Sequence, residues 1–443
     1  MLTRSLAAAG LLAVLVQPPA AMRGDAMAAV DLRAHVPALQ KNLETAVVGF
    51  WYPRVIDRKG GGYRVAFDAA GRPTADGSKM IVTQARMTWL FARLARSGHR
   101  PAEMLEAATH GYRFLAERMW DREHGGFVWE VDESGSRVQD ARKVVYGQAF
   151  ALYALSEYAR ASGRPEPLDL AVRLFRLLET HAHDEAFGGY LEHFTRDWSP
   201  PDATSASPIG GRPGAKLMNT HLHLLEAYAE LVRAGGPPLA RERLLELITI
   251  ESNTVVRKEL TACTDEYRRD WTPVVDEAAA RVSYGHDLEN IWLLADAVET
   301  AGGSNALLLD LYRRLFDYSK RHGYDEAAGG FFYRGRFDEA ADERAKIWWV
   351  QAEALVSALT MYRLTREPAY ASVFARTLDW VSTRQTDWTN GEWFAEVHPD
   401  GAVRGVKGDR WKEGYHNGRA LIESLRIIDE LSREAAGRPT GGR

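Results

Sequence analysis

A motif of a glycine followed two residues later by an aromatic residue recurs along this chain about every sixty residues. The clear copies carry Tyr63, Phe127, Tyr190, Phe331 and Trp393. A weaker copy fits at Tyr267, because Arg269-Asp270-Trp271 then repeats the Arg196-Asp197-Trp198 of the preceding unit. Six copies of one unit indicate a closed repeat array, whereas 443 residues alone would suggest about three domains.

Helical periodicity flanks each motif. Apolar residues recur at the i, i+3, i+4, i+7 spacing of a helix face, as in Met87, Leu90, Phe91 and Leu94. The motif itself, as in Gly126 to Val131, alternates like a short strand ended by turns. Two helices in each of six units predict an all-α fold: a six-fold α/α barrel, or toroid of about twelve helices, with short β-hairpins at one end. Ser199 to Gly214, rich in Pro, Ser and Gly, indicates an inserted surface loop.

The first 28 residues have the pattern of a signal peptide. Arg4 precedes a short apolar run, and Ala26-Met27-Ala28 offers a cleavage site, with Pro19-Ala20-Ala21 as an earlier alternative. No later stretch reaches the length of a transmembrane helix. We therefore expect residues 29–437 to form a single domain that is exported to the periplasm or secreted, without membrane association after cleavage. The sequence leaves monomer and homodimer equally open.

Charge and cysteine content exclude two classes of function. The 56 Lys and Arg residues nearly balance the 60 Asp and Glu residues, and a nucleic-acid binder normally carries a clustered basic excess. The single cysteine, Cys263, excludes an internal disulfide and a thiolate metal cluster.

Polar residues occupy positions on the predicted inner helices that should be apolar. Asn219, His223 and Glu226 share one helix face through their i, i+4, i+7 spacing. The same pattern recurs in four more units, with Arg86 and Trp89, with His286, Glu289, Asn290 and Trp292, with Trp349 and Glu353, and with Trp411 to Arg419. Because buried polar groups cost several kcal/mol unless paired, these faces predict a ligand-filled cleft. Alternatively, Glu289 and Glu353 neutralise Arg86 or Arg419 inside the barrel.

A metal site is the less favoured interpretation of the histidines. His221 and His223 are two residues apart and point about 200° away from each other on a helix. His181, His183 and Asp184 form a loop cluster without matching ligands nearby, while His286, Asp287 and Glu289 supply only part of a two-histidine carboxylate site. From these residues we expect no catalytic metal.

Five segments resemble the N-acylglucosamine 2-epimerase superfamily, and especially its cellobiose 2-epimerase branch, over about residues 35–432. They are Arg86-Met-Thr-Trp-Leu-Phe-Ala-Arg, Asn219-Thr-His-Leu-His-Leu-Leu-Glu, Gly285-His-Asp-Leu-Glu, Lys346-Ile-Trp-Trp-Val-Gln-Ala-Glu and Trp411-Lys-Glu-Gly-Tyr-His-Asn-Gly-Arg. The resemblance implies a six-fold α/α barrel that inverts C2 of a reducing mono- or disaccharide without a cofactor. Inversion at C2 passes through an enediolate, which needs two bases on opposite faces and a cation beside its oxygen.

By this resemblance, His286 and His416 are the acid/base pair, Arg86 stabilises the enediolate oxygen and His223 assists ring opening. Glu289 is expected to orient His286. The implied substrate-binding residues are Tyr146, Asn219, Trp292, Trp349, Glu353 and Trp411. Two features depart from the family pattern, namely the export signal and Glu413-Gly414, where the family tends to have small residues or proline.

Three alternative functions remain at the level of sequence. An aldose–ketose isomerase uses the same enediolate but returns the proton to C1. An inverting glycosidase would use Glu289 and Glu353 as carboxylates roughly 6.5–9.5 Å apart. A glycan-binding protein would keep the tryptophans without needing both His286 and His416.

Overall fold

The computed structural model describes residues 30–257, 261–276 and 280–437, and from Leu32 onward the chain is one compact unit. The predicted signal peptide, residues 1–28, lies outside the described residues. No helix in the described ranges is both long and apolar enough to cross a membrane.

Twelve helical segments in these ranges alternate between an outer and an inner ring. The outer segments are α1 (residues 32–51), α3 (Pro101–Phe114), α5 (Pro165–Leu177), α7 (Pro238–Thr249), α9 (Leu309–Gly323) and α11 (Pro368–Trp380). The inner helices are α2 (Ile81–Arg96), α4 (Val145–Ser162), α6 (Met218–Arg233), α8 (Tyr284–Thr300), α10 (Trp348–Thr365) and α12 (Tyr415–Gly437). Four outer helices, α3, α5, α7 and α11, end in a π-helical turn.

The inner helices close into a ring. Each packs against the next, from α2 through α4, α6, α8 and α10 to α12, and α12 packs back against α2. Each outer helix covers one inner helix, with α1 lying on α12. Sequence explains the layers, because α4 is buried over Val145–Ala159 whereas α9 buries mainly one apolar face around Tyr312, Leu315 and Phe316. The predicted six-fold α/α barrel is confirmed.

Short strands connect consecutive units at one end of the ring. The strands are β1 (Lys79–Met80), β2 (Glu130–Val131), β3 (Val138–Asp140), β4 (Lys143–Val144), β5 (His193–Phe194), β6 (Lys216–Leu217), β7 (Val256–Arg257), β8 (Ala262–Cys263), β9 (Glu266–Tyr267), β10 (Arg281–Ser283), β11 (Arg334–Arg336), β12 (Lys346–Ile347), β13 (Glu396–Val397) and β14 (Val403–Arg404). Five of them lead directly into an inner helix and pair antiparallel with the following unit, as β1 with β2, β4 with β5, β6 with β9, β10 with β11 and β12 with β13. The hairpins therefore sit at one end of the barrel, as predicted, and the structure shows that this is the N-terminal end of the inner helices.

The repeated aromatic residues anchor these hairpins to the inner helices. The backbone N–H groups of Tyr63 and Phe127 donate to the side chains of Gln84 and Gln148 at 2.8 Å, and the later units repeat the contact with Tyr190 on His221 and Phe331 on Gln351. His221 thus accepts a backbone N–H where three other units of this chain use a glutamine side chain.

The register predicted for the fourth unit is wrong. Cys263, rather than Tyr267, occupies the aromatic position, because it pairs with Val256 seven residues earlier and its N–H donates to Asp287 at 3.0 Å. In the other copies the bridged residue also lies seven positions before the aromatic, as Trp120 does before Phe127. The sequence held the correct register, since Arg269 follows Cys263 by the same six residues that separate Arg196 from Tyr190.

An aspartate–lysine pair, termed here the Asp–Lys clasp, fixes most of the hairpins. A buried lysine just before the inner helix bonds an aspartate at the start of the motif, in the pairs Lys79–Asp57, Lys143–Asp121, Lys216–Asp184 and Lys346–Asp325. Asp184 also accepts from Arg269 at 2.8 Å, and His183 contacts Glu246 at 3.1 Å. The loop cluster around Asp184 is therefore a structural ion-pair network.

Candidate active site

The inner helices enclose a cavity of about 330 Å³ at their N-terminal end. Its walls bring together nine of the eleven predicted site residues, which are Arg86, Tyr146, Asn219, His223, His286, Glu289, Trp349, Trp411 and His416. The cavity also has lining residues that the prediction missed, namely Pro208, Ile209, Tyr333 and Trp348. Its volume lies in the range of small-molecule sites.

The helical repeat explains why these side chains converge. In each inner helix, one side chain bonds the hairpin, and the residue two positions later points into the barrel. In α12 the residue that bonds the hairpin is Asn417, which donates to Glu392. The six equivalent residues, termed here the floor ring, are Arg86, Phe150, His223, Glu289, Glu353 and Arg419. Five of the six are polar, so the repeat directs a charged layer into the barrel.

Arg419 holds the floor ring together. Its guanidinium donates to Glu226 at 2.6 Å, to Glu289 at 2.5 Å and to Glu353 at 2.9 Å, and all four side chains are buried. A planar guanidinium suits several carboxylates at once, and this pairing offsets the cost of burying them. The interpretation that Glu289 and Glu353 neutralise an arginine inside the barrel therefore holds for Arg419.

His416 is held as a neutral base. Its Nδ1 lies 2.7 Å from the Glu353 carboxylate, so Nδ1 carries the hydrogen and Nε2 is left with a free lone pair. Burial, reinforced by the charge of Arg86, holds the pKa of His416 well below its usual value. His223 is held in the same way, with Nδ1 at 2.7 Å from Glu226 and a pKa that burial lowers strongly.

His286 and His416 both lie against the indole ring of Trp349. The ring centroid of Trp349 lies 4.9 Å from that of His286 and 5.8 Å from that of His416. We predicted that Glu289 orients His286. In the structure the Glu289 carboxylate instead accepts a hydrogen bond from Arg419. Of the two histidines, His416 is the one with an orienting carboxylate.

Arg86 supplies a positive charge to the cavity wall. It donates to the Tyr146 hydroxyl at 3.0 Å, and its guanidinium lies over the rings of Phe150 and Tyr415, 4.1 and 4.9 Å from their centroids. Burial raises the pKa of Tyr146 to about 12, so that hydroxyl remains protonated beside the arginine. The arrangement holds a cation rigidly in an aromatic environment of low polarity.

Two predicted substrate-binding residues lie elsewhere. Trp292 donates to Glu353 at 2.8 Å and lines a second cavity, of about 210 Å³, on the far side of the floor ring. Glu353 is fully buried beneath His416 and is committed to His416, Arg419 and Trp292. Both therefore support the site from below and do not face the cavity.

The inserted loop is more than a surface feature, because its Pro208 and Ile209 line the cavity. Its neighbour Ser207 contacts the buried Glu192 at 3.4 Å, and Thr220 at the start of α6 also donates to Glu192. The Pro/Gly-rich composition predicted a loop but carried no signal for its direction. Glu226 was also missed as a site residue, although its spacing from His223 placed it on the same face.

The donor atoms of Glu289, Glu353 and His416 lie within 4.8 Å of one another, so they form the best grouping for a cation in the described ranges. The Arg419 guanidinium already donates to both carboxylates, which places a fixed positive charge at that point. Of the ligands considered from the sequence, Asp287 turns to the N–H of Cys263 and His221 to that of Tyr190. The residues present therefore suit the arginine better than a metal ion.

Comparison with known sequences identifies this arrangement. The sequence profile of the N-acylglucosamine 2-epimerase (GlcNAc 2-epimerase) family matches residues 61–420. The chain belongs to this family.

Among relatives of this family member, a cellobiose 2-epimerase from Bacteroides fragilis is 31% identical, over 87% of this chain and 97% of the relative. The solved structure of cellobiose 2-epimerase from Spirochaeta thermophila superposes with a TM-score of 0.82 at 36% identity, covering 90% of this chain and 98% of that one. A D-mannose isomerase from Marinomonas mediterranea is 25% identical, over 88% of this chain and 97% of the relative.

Proposed function

We propose that this member of the N-acylglucosamine 2-epimerase family interconverts gluco- and manno-configured reducing ends, with β-1,4-linked disaccharides of the cellobiose type as substrates. The observation that carries the proposal is the pair of imidazoles, His286 and His416, which line one cavity and both contact Trp349. Epimerisation at C2 needs a base on each face of the intermediate, and this site offers two.

In the proposed reaction, a neutral imidazole removes the C2 proton of the open-chain sugar and the opposite histidine returns a proton to the other face. Glu353 keeps Nε2 of His416 unprotonated and stabilises the imidazolium that forms when His416 accepts the proton. Arg86 stabilises the enediolate oxygen from the cavity wall, and His223, oriented by Glu226, assists ring opening.

A disaccharide substrate is supported by the aromatic residues of the rim. Trp348, Trp349, Tyr333 and Trp411 all line the cavity, and Trp411 keeps 37% of its surface exposed. Aromatic faces bind the apolar faces of sugar rings, so one ring fits beside Trp349 and the histidines while a second lies against Trp411. The sequence relative and the solved structure named above, both called cellobiose 2-epimerase, support the same substrate class.

The test is an incubation of the purified protein with cellobiose, mannobiose, glucose and mannose in heavy water, followed by NMR. We expect deuterium to appear at C2 while gluco- and manno-products interconvert, and to appear faster with the disaccharides. Cleavage of the glycosidic bond, or no exchange on any sugar, would contradict the proposal.

The second candidate is an aldose–ketose isomerase. It is favoured by the D-mannose isomerase relative and by the fact that both reactions share the enediolate. Ketose products with deuterium at C1 in the same incubation would identify it. An inverting glycosidase fits less well, because Glu289 and Glu353 both bind Arg419 within a grouping that spans only 4.8 Å.

We also propose export, on the strength of the signal-peptide pattern in residues 1–28 alone. Expression of the full chain in a Gram-negative host, followed by fractionation and N-terminal sequencing, tests it. We expect a periplasmic product that begins after Ala21 or Ala28, and a full-length cytoplasmic product would contradict the export proposal while leaving the catalytic one intact.

A further inference from the structure

Glu413 is a buried carboxyl group without a hydrogen-bond partner. Its side chain is fully shielded from solvent, and both carboxylate oxygens lack a donor among the described residues. Such groups are rare in folded proteins because an unpaired buried carboxylate is costly. The catalytic scheme above gives Glu413 no role, so the presence of a carboxyl group at this position requires an explanation.

The nearest cation to Glu413 is Arg86. The Glu413 Oε1 atom lies 3.6 Å from Arg86 Nη1, which is too far for a good hydrogen bond but close enough for strong Coulomb attraction. The other charged groups that act on Glu413 are Asp409, Lys412 and Glu392. Lys412 is already bonded to Glu392 at 2.9 Å, so Arg86 is the principal counter-ion of Glu413.

Arg86 therefore stands between a buried carboxyl group and the substrate cavity. Its Nη2 donates to Tyr146, and its flat faces are covered by Phe150 and Tyr415. The guanidinium has little freedom to move toward either side. The charge it presents to the cavity consequently depends on whether the group behind it is a neutral acid or a carboxylate.

We propose that Glu413 is a positioning residue of this active site that sets, through its own charge, how strongly Arg86 stabilises the enediolate. The inference rests on the proposed epimerase function and deepens it. When Glu413 is a neutral acid, the full charge of Arg86 faces the substrate. When Glu413 is ionised, part of that charge is neutralised, and negative charge developing at the enediolate oxygen is disfavoured.

The pKa of Glu413 places its ionisation near neutral pH. Burial raises the pKa to about 7, while the opposing charge of Arg86 keeps it from rising further. Its raised value means that the carboxyl group holds its proton below about pH 7 and loses it above. His416 stays neutral over the same range because burial holds its pKa well below the usual value. The wild-type kcat should therefore fall as pH rises through 7 to 9.

The decisive variant is Glu413→Gln, which mimics the neutral acid at every pH. We expect kcat for C2 exchange to stay constant between pH 7 and 9 in this variant, whereas wild-type kcat falls by about three- to tenfold. KM should change little, because the effect acts on charge that develops in the transition state. Glu413→Asp keeps an ionisable group and should keep the decrease with a displaced midpoint.

The matched control is Glu251→Gln. Glu251 is an equally buried carboxyl group in the fourth unit, bonded to Asn290 at 3.0 Å and absent from the cavity wall. This variant should keep the wild-type decrease, which separates the charge of Glu413 from a general effect of removing one buried acid. Thermal unfolding of each variant checks that the fold is retained.

The proposal is overturned if Glu413→Gln keeps the wild-type pH profile, or if its kcat is reduced by the same factor at every pH. Infrared difference spectra of wild type and Glu413→Gln, recorded without sugar at pH 6 and 9, follow the Glu413 proton independently of turnover. A carboxylic-acid band that titrates in wild type and is missing in the variant supports the proposal. Absence of C2 exchange in wild type at any pH would instead overturn the proposed function.

Discussion

Carboxylates that do not touch the substrate decide what the histidines of this site can do. Glu353 fixes the tautomer of His416 and Glu226 that of His223, while Arg419 ties both carboxylates into one buried network. A histidine with its hydrogen pinned on Nδ1 presents Nε2 as an acceptor without being charged. Proton transfer at C2 therefore depends on residues one layer below the cavity.

Loss of either imidazole should abolish turnover without unfolding the protein. We expect His416→Ala and His286→Ala each to lower the rate of C2 exchange by about 10²–10⁴-fold, which is the usual contribution of a general acid or base. Exchange measured by NMR in heavy water checks this, with His398→Ala as a control because His398 pairs with Glu396 away from the cavity. Full activity in either site variant would contradict the two-base scheme.

Replacing Glu353, which orients His416, should lower activity nearly as much as replacing His416 itself. Glu353→Gln removes a charge that both His416 and Arg419 use, so we expect kcat to fall by about 10²-fold or more with KM little changed. Steady-state kinetics on the preferred disaccharide measure the two constants. Glu396→Gln, which alters a partly exposed pair in which His398 Nε2 lies 3.0 Å from Glu396, should leave kcat unchanged.

Arg86→Lys should fail although it conserves charge. An ammonium group cannot reach Tyr146 and the cavity together, and it loses the stacking on Phe150 that the guanidinium has. We expect kcat to fall by about 10²–10³-fold, the range found when an oxyanion donor is removed. Wild-type kcat in this variant would show that Arg86 acts only as a point charge.

Which residues reach the cavity was predictable in part. Spacing along a helix gives the direction of a side chain around the axis and its position along the axis, but it does not show at which level the cavity ends. Trp292 lies six residues after His286 and is therefore about 9 Å deeper, beyond the floor ring. Glu353 is one turn deeper than Trp349 and is covered by His416 from α12, an arrangement that no spacing within α10 reveals.

At the scale of the elements, two properties of the hairpins require glycine: a backbone with positive φ, and neighbouring atoms that leave no room for a Cβ. Gly330 has φ of 79°, and an added Cβ would lie 2.6 Å from Oε1 of Gln351, the side chain that holds this hairpin. Gly401 has a similar φ of 82° in open space. Comparing Gly330 with Gly401 therefore separates the cost of crowding from the cost of a positive φ.

Gly330→Ala should destabilise the protein more than Gly401→Ala. Strain from positive φ costs about 1–2 kcal/mol in both, and Gly330→Ala adds about 1–3 kcal/mol of overpacking. Urea denaturation gives the free energy of unfolding for each variant. Equal losses would mean that Gln351 moves freely and does not anchor the hairpin.

The repeating unit was predicted correctly from the sequence, whereas the register of its fourth copy was not. Five units keep an aromatic residue at the hairpin, and their sequence spacing predicted the ring correctly. Cys263 fills the same position with a small side chain, and Asp287 replaces the glutamine that accepts its N–H. A search for aromatic residues therefore shifted the fourth unit by four residues to Tyr267, although Arg269 and Trp271 kept the true register.

At the scale of the whole molecule, the barrel should lose stability in acid through its Asp–Lys pairs. In the last hairpin, Asp387 forms an ion pair with Lys407 at 2.8 Å. Burial opposes ionisation of Asp387, but this ion pair and the hydrogen bond from Asn390 outweigh it and lower the pKa to about 2. A carboxyl group with a lowered pKa stabilises the fold above its unfolded pKa of about 3.9, and that contribution is lost as pH falls toward 2.

We therefore expect the urea midpoint of wild type to fall between pH 5 and pH 3. The Asp387→Asn variant lacks the ion pair with Lys407. Its urea midpoint should therefore be lower at pH 5 and should decrease less between pH 5 and pH 3. Asp310→Asn, which changes an exposed residue of α9, should follow wild type. A decrease in Asp387→Asn as large as that of wild type would show that this pair contributes nothing to acid sensitivity.

The ring is completed by α12, which carries His416 and Arg419 and packs between α10 and α2. A growing polypeptide that has emerged through α10 already contains Arg86, His223 and His286, yet it lacks one imidazole and the arginine that unites the carboxylates. The centre thus comes into being in a single late event during biosynthesis. Catalytic activity therefore reports that α12 has been synthesised and has joined the ring.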